Sequence, residues 1–174
     1  MTSDKQKRSI NESILETLKR SPLSQLSLSS RELFHSNLLA WLCDNHQAFA
    51  GALFDEFLPT KPAGGIDTVE REKQNIDLWI HFKDGQDLIV ENKVKSLPDS
   101  AQLDAYSAKV GSDSSSFLLL CLSRPHFLGA TETTYQDSEG RPWNILTYRE
   151  LSARMDKALR NGTGAPEVGS YHRS

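Results

Sequence analysis

Apolar residues recur at near-helical spacing at the start of the chain: Ile10, Ile14, Leu15 and Leu18 predict a weakly amphipathic helix within residues 1–20. Pro22 and a Ser/Leu run break it. A stronger helix opens at Ser29-Ser30-Arg31-Glu32, where Ser29 and Glu32 have capping-box spacing, and Phe34, Leu38, Trp41 and Leu42 follow as a core-facing stripe. A second helix is expected over Gln47–Leu58, with Phe49, Leu53, Phe54 and Phe57 inward and Pro59 ending it. The pattern then changes period. Ile66 to Glu72 reads as a polar strand and Lys73-Gln74-Asn75 as a turn. Ile76–Phe82 and Leu88–Lys93 read as two strands joined by a tight turn. Asp99-Ser100 starts another helix, lined by Leu103, Tyr106 and Val110 and stopped at Gly111. Phe117–Leu122 is apolar without alternation, which fits a central strand covered on both faces. Residues 123–142 read as irregular and Asn144–Thr147 as a short last strand. Thr147 and Glu150 repeat the capping-box spacing ahead of a helix carrying Leu151, Met155 and Leu159 on one side.

This order, α-α-β-β-β-α-β with a further strand and helix, predicts an α/β protein. The expected architecture is a three-layer-type sandwich around a central mixed sheet. Residues 1–28 are expected to form an N-terminal helical extension, 29–161 the main domain and 162–174 a flexible tail. A length of 174 residues suits one domain with an ordinary core. No apolar run reaches the ~20 residues that span a bilayer, and the charged N-terminus has no signal-peptide core. No membrane association and a cytoplasmic location are therefore expected. Cys43 and Cys121 lie in apolar surroundings and read as buried free thiols. The net charge of -3 excludes a surface coated in positive charge, though a local basic patch remains open.

Three ionisable residues, Asp77, Glu91 and Lys93, interrupt the apolar strands of the hairpin, where they are costly unless paired or bound to a metal. Register decides whether they meet. A two-residue Asp84-Gly85 turn sets apolar positions of one strand beside Glu91 and Lys93. A three-residue Lys83-Asp84-Gly85 loop, with Gly85 in the left-handed conformation, sets Leu78 opposite Val90 and Asp77 opposite Glu91. Apolar matching selects the second, so all three ionisable side chains project from one face. Two adjacent carboxylates suit Mg²⁺ or Mn²⁺. A lysine two residues beyond one of them can orient an attacking water or offset transition-state charge, which is equipment for phosphodiester hydrolysis.

Asp77…Glu91-Asn92-Lys93 on a β-hairpin resembles the signature of the PD-(D/E)XK nuclease superfamily, with its restriction-endonuclease-like fold. The resemblance covers roughly Ser29 to Leu122. It implies a metal-dependent nuclease acting on nucleic acid, DNA in the first instance. Asp77, Glu91 and the Asn92 main-chain carbonyl would hold Mg²⁺ (or Mn²⁺), and Lys93 would be the catalytic lysine. It also assigns Glu32 as a supporting acid on the first core helix. Gln102-Leu103-Asp104-Ala105-Tyr106 matches the Q-x-x-x-Y helix of one branch, and Glu32 to Leu42 is similar to the opening of bacterial members. Gln102 would then support catalysis, with Gln102, Tyr106 and Lys95 on the substrate side; homodimers are common in the family. Ile76 stands where the family often has proline.

Each assignment has a plainer counterpart. Asp77, Glu91 and Lys93 could be a structural ion-pair cluster, and the capping box explains Glu32 without catalysis. Glu70 and Glu72 read as a solvated strand edge, His35 and His81 as packing or surface residues, and Tyr106 as core with its hydroxyl at the rim. Lys73, Arg71, Lys95 and Arg124 read as scattered surface charges or as phosphate contacts. The competing function is a non-catalytic nucleic-acid-binding or protein-interaction domain that retains the nuclease fold.

Overall fold

Strands that are apolar at every position end up in the middle of the sheet, where both faces are covered. The computed structural model describes residues 34–94, 99–111, 114–129 and 131–163. The chain parts into two compact units, 1–38 and 39–174, and the second holds the sheet. The expected helix over residues 1–20, the Ser29–Glu32 box and the tail beyond residue 163 lie outside the described residues.

The sheet has six strands in the order β1-β2-β3-β4-β6-β5. β1 (Ile66–Lys73), β2 (Ile76–Phe82) and β3 (Asp87–Lys93) form an antiparallel meander. β4 (Ser115–Cys121) runs parallel to β3, and β6 (Pro142–Thr147) parallel to β4, while β5 (Thr134–Gln136) pairs antiparallel with β6. The sheet is thus mixed, and the α/β class read from the sequence holds. On one face, Leu78, Ile80, Phe82, Leu88, Val90, Leu118 and Leu120 pack against Leu39, Ala40, Leu42 and Cys43 of α1 (Phe34–Asn45). Leu53 and Phe54 of α2 (Gln47–Phe54) and Leu151 and Ala158 of α4 (Tyr148–Arg160) complete that cluster. On the other, Trp79, Ile89, Phe117, Leu119, Trp143 and Ile145 pack against Leu103 and Tyr106 of α3 (Ser100–Val110). Both cysteines are buried and free, and burial pushes their thiols up, Cys43 to about 12 and Cys121 to about 11.

Local chemistry sets the element ends. The Asp99 carboxylate accepts from Ala101 N–H at the start of α3, and Gly111, at φ 58°, closes it by donating to the Ser107 carbonyl. Thr147 and Glu150 form the complete reciprocal box at the start of α4.

Several boundaries differ from the periodicity. α2 ends at Phe54 and tightens into a 3₁₀ turn over Asp55–Phe57. Leu39, Ala40 and Cys43 are buried on α1 where Trp41 is only partly packed, and Leu159 on α4 is exposed. Residues 123–142 are not all irregular, since β5 lies among them; β6 is the last strand along the described chain, as expected, and sits between β4 and β5 in the sheet.

Asp137 closes the β5–β6 turn. Its carboxylate accepts from Glu139 N–H at 2.9 Å, Arg141 N–H at 2.7 Å and Arg141 Nε at 2.8 Å. Burial alone would raise its pKa, but hydrogen bonds from the Ser107 hydroxyl, the Arg141 side chain and these backbone groups outweigh it and hold Asp137 down at about 2. A depressed carboxyl contributes stability that is present above its ordinary pKa and lost as pH falls from about 4 through about 2. Asp137→Asn is expected to lower stability by about 2 kcal/mol at pH 7 and to remove that acid transition, as read by denaturant titration at pH 7 and pH 3.

Candidate active site

The hairpin of β2 and β3 takes the register selected by apolar matching. Leu78 pairs with Val90, Ile80 with Leu88 and His81 with Asp87. The loop is Lys83-Asp84-Gly85: Phe82 N–H donates to the Gln86 carbonyl, Gly85 N–H donates to the Phe82 carbonyl, and Gly85 sits at φ 85°. Odd-numbered residues of β2 and β3 therefore share the face that carries α3.

Asp77 lies one residue beyond the last paired position of β2. Its Oδ2 accepts from Asn92 N–H at 2.7 Å, so a carboxylate replaces the strand partner there. Lys93 Nζ lies 2.9 Å from Glu91 Oε1, and the Glu91 side chain is only 4% exposed. Glu91 Oε2 is shielded from solvent and makes no hydrogen bond. Burial first, and the Asp77 charge second, push Glu91 up to about 7, while Lys93 pulls it back. Asp77 is raised too, chiefly by burial, against the lowering effect of the Asn92 N–H and Lys93. Two carboxylates raised by burial, one of them further by its neighbour's charge, and a buried oxygen with no donor form a set of hard oxygen ligands. That donor set fits Mg²⁺ or Mn²⁺. Among the described residues no group of three or more His, Cys, Asp or Glu is placed to hold a metal.

Gln102 and Tyr106 of α3 lie beside this face. Gln102 Nε2 donates to the Tyr106 hydroxyl at 2.6 Å, and the ring is buried. Tyr106 is raised first by burial and then by the Glu91 charge, which puts its hydroxyl in the field of the carboxylates. Glu32 and Lys95 lie outside the described residues. Lys73 is bound to Glu70 at 2.7 Å, and Arg124 to Glu150 at 2.5 Å and the Glu132 carbonyl, so both already have anionic or carbonyl partners. His81, further along the Asp77 face, sits between Asp87 at 2.7 Å and Glu70 at 2.9 Å. Trp79 Nε1 also donates to Asp87, so the network ties β1, β2 and β3 together.

Comparison with known protein families finds one described as the PD-(D/E)XK nuclease superfamily, whose model matches residues 22–169. The chain belongs to the PD-(D/E)XK nuclease superfamily. No curated protein and no solved structure matches it at a significant level. The mixed six-stranded sheet with helices on both faces is the restriction-endonuclease-like fold of that superfamily. Membership points to nuclease chemistry and to nucleic acid as substrate. No helix among the described residues is long and apolar enough to cross a membrane.

In this superfamily member, sequence reasoning missed one residue that reaches the hairpin. The Tyr148 hydroxyl donates to Asn92 Oδ1 at 2.6 Å across 56 residues of chain. Its position just after a helix N-cap was legible, but a contact between α4 and β3 depends on where β6 inserts.

Proposed function

We propose that this protein is a divalent-metal-dependent nuclease that hydrolyses phosphodiester bonds of DNA. One observation carries the reading: the carboxylates of Asp77 and Glu91 converge beside Lys93, with the Glu91 Oε2 atom buried and without a hydrogen bond. Asp77, Glu91 and the Asn92 carbonyl would hold Mg²⁺ or Mn²⁺. When bound, the metal would supply Lewis acidity and lower the pKa of water at the scissile phosphate. Asp77 and Glu91 become less basic once a cation neutralises them, so both are ionised in the working state. The Lys93 ammonium, held by Glu91, faces the position where charge develops and orients the attacking water. Gln102 and Tyr106, on α3 beside this face, would contact the nucleic-acid strand.

The test is cleavage of supercoiled plasmid, single-stranded DNA and RNA by the purified chain with Mg²⁺ or Mn²⁺, against EDTA. Metal-dependent cleavage of DNA is expected. Cleavage confined to RNA would correct the substrate. Absence of divalent-metal binding at millimolar concentration would remove the enzyme reading in favour of a non-catalytic domain.

A further inference from the structure

We propose that Tyr148 is a positioning residue that fixes the Asn92 peptide, and through it the Asp77 carboxylate, for metal binding. The inference rests on the nuclease reading above. It starts from where the hairpin ladder ends. Hydrogen-bonded pairs of an antiparallel ladder alternate, and the Phe82 N–H to Gln86 bond places Ile80–Leu88 and Leu78–Val90 in that series. Asn92 is the next member on β3. Its N–H points toward β2, but it meets the Asp77 carboxylate instead of a strand carbonyl. The residue that presents the Asn92 carbonyl is thus held on the β2 side, through its N–H, by a side chain.

The Asn92 side chain points through the other face of the sheet, and there Tyr148 takes it. Tyr148 is the first residue of α4, and that helix start is fixed in three ways. Thr147 N–H donates to Glu150 Oε2 at 2.7 Å. Glu150 N–H returns to Thr147 Oγ1 at 3.3 Å. Arg124 holds the second Glu150 oxygen at 2.5 Å. Thr147 itself is paired with Cys121, which is paired with Lys93. A rigid helix end therefore presents the hydroxyl, and one residue is gripped from both faces: Asn92 by Tyr148 on its side chain and by Asp77 on its N–H. Losing the hydroxyl removes this hold on the Asn92 side chain and loosens the peptide whose N–H orients Asp77. Partners of this kind, which orient metal ligands without touching the metal, typically change metal affinity by about 10–100-fold.

Mn²⁺ affinity is measured by calorimetry, with cleavage kinetics alongside, for wild type, Tyr148→Phe, Asn92→Ala, the double variant and Asp77→Asn. Tyr148→Phe is expected to stay folded, with an unfolding midpoint within a few degrees of wild type. It should bind Mn²⁺ about tenfold more weakly and lose kcat with KM for DNA unchanged. Because the effect passes through one bond, the double variant should be no weaker than Asn92→Ala. Wild-type Mn²⁺ affinity in Tyr148→Phe, with binding abolished in Asp77→Asn, would overturn the inference and leave the nuclease reading standing. Additive losses in the double variant would overturn it as well, because Tyr148 would then act elsewhere. Failure of wild type to bind Mn²⁺ at all removes both.

Discussion

Lys93→Ala is expected to lower the cleavage rate by about 10²–10³-fold at saturating metal, the range seen when a group facing developing charge is removed. Lys93 Nζ sits 2.9 Å from Glu91 Oε1 and its side chain is only 14% exposed, so little water is present to take over its role. The same substitution has a second effect. Lys93 pulls Glu91 down from the position that burial and Asp77 impose. Without it Glu91 keeps its proton to higher pH, and metal binding moves to higher pH with it. Single-turnover rates at pH 7 and pH 8.5, each at saturating Mn²⁺, separate the two effects. Loss at both pH values marks a role in the chemistry. Full recovery at pH 8.5 would reduce Lys93 to a modulator of Glu91.

Glu91→Gln is expected to abolish metal binding and cleavage while relieving a strain in the metal-free fold. Glu91 is raised from 4.5 to about 7, so the folded state holds its proton where the unfolded chain has released it. For a raised carboxyl the sign is unfavourable: stability is greatest below pH 4.5 and falls as pH rises through about 7. The loss is roughly 3 kcal/mol at pH 8 for a shift of this size, and Mg²⁺ opposes it by binding the ionised form. Melting in EDTA across pH 4.5–8 should show wild type losing stability and Glu91→Gln following a shallower slope. The slope is not flat, because Asp77 is raised as well, and the variant leaves the Lys93 ammonium without its carboxylate. Addition of Mg²⁺ at pH 8 should raise the midpoint of wild type alone. Parallel pH slopes for the two proteins would show that the carboxylate pair is not strained.

The hairpin was legible because its information is local and redundant. Apolar residues on both strands and Gly85 in the loop all agree on one register, and a one-residue slip would turn every apolar side chain outward. The central place of β4 was legible for a similar reason, since Phe117 to Cys121 is buried at every position. β5 was hidden. Thr134-Tyr135-Gln136 is short and only partly buried, so its pattern is weak, although the Asp137 and Gly140 turn that follows was a usable signal. Insertion of β6 beside β4 could not be read from periodicity, because parallel pairing is made by chain segments far apart. Of the candidate site, the convergence of Asp77, Glu91 and Lys93 followed from strand alternation. Tyr148 did not, since it depends on that insertion.

The two grips on Asn92 differ in how much chain they close. Asp77 reaches it across 15 residues and Tyr148 across 56. Loop-closure entropy grows with the logarithm of length, so the second contact costs about 1 kcal/mol more than the first. It also requires β4 and β6 to be in place, because Thr147 is anchored through Cys121. The carboxylates can meet as soon as the hairpin closes, whereas the clamp on Asn92 waits for α4. During synthesis, a chain that has emerged only as far as β3 carries every acidic group of the hairpin but not the geometry that orders them. If Tyr148 orders Asn92 as proposed above, full metal affinity would be reached only once α4 docks.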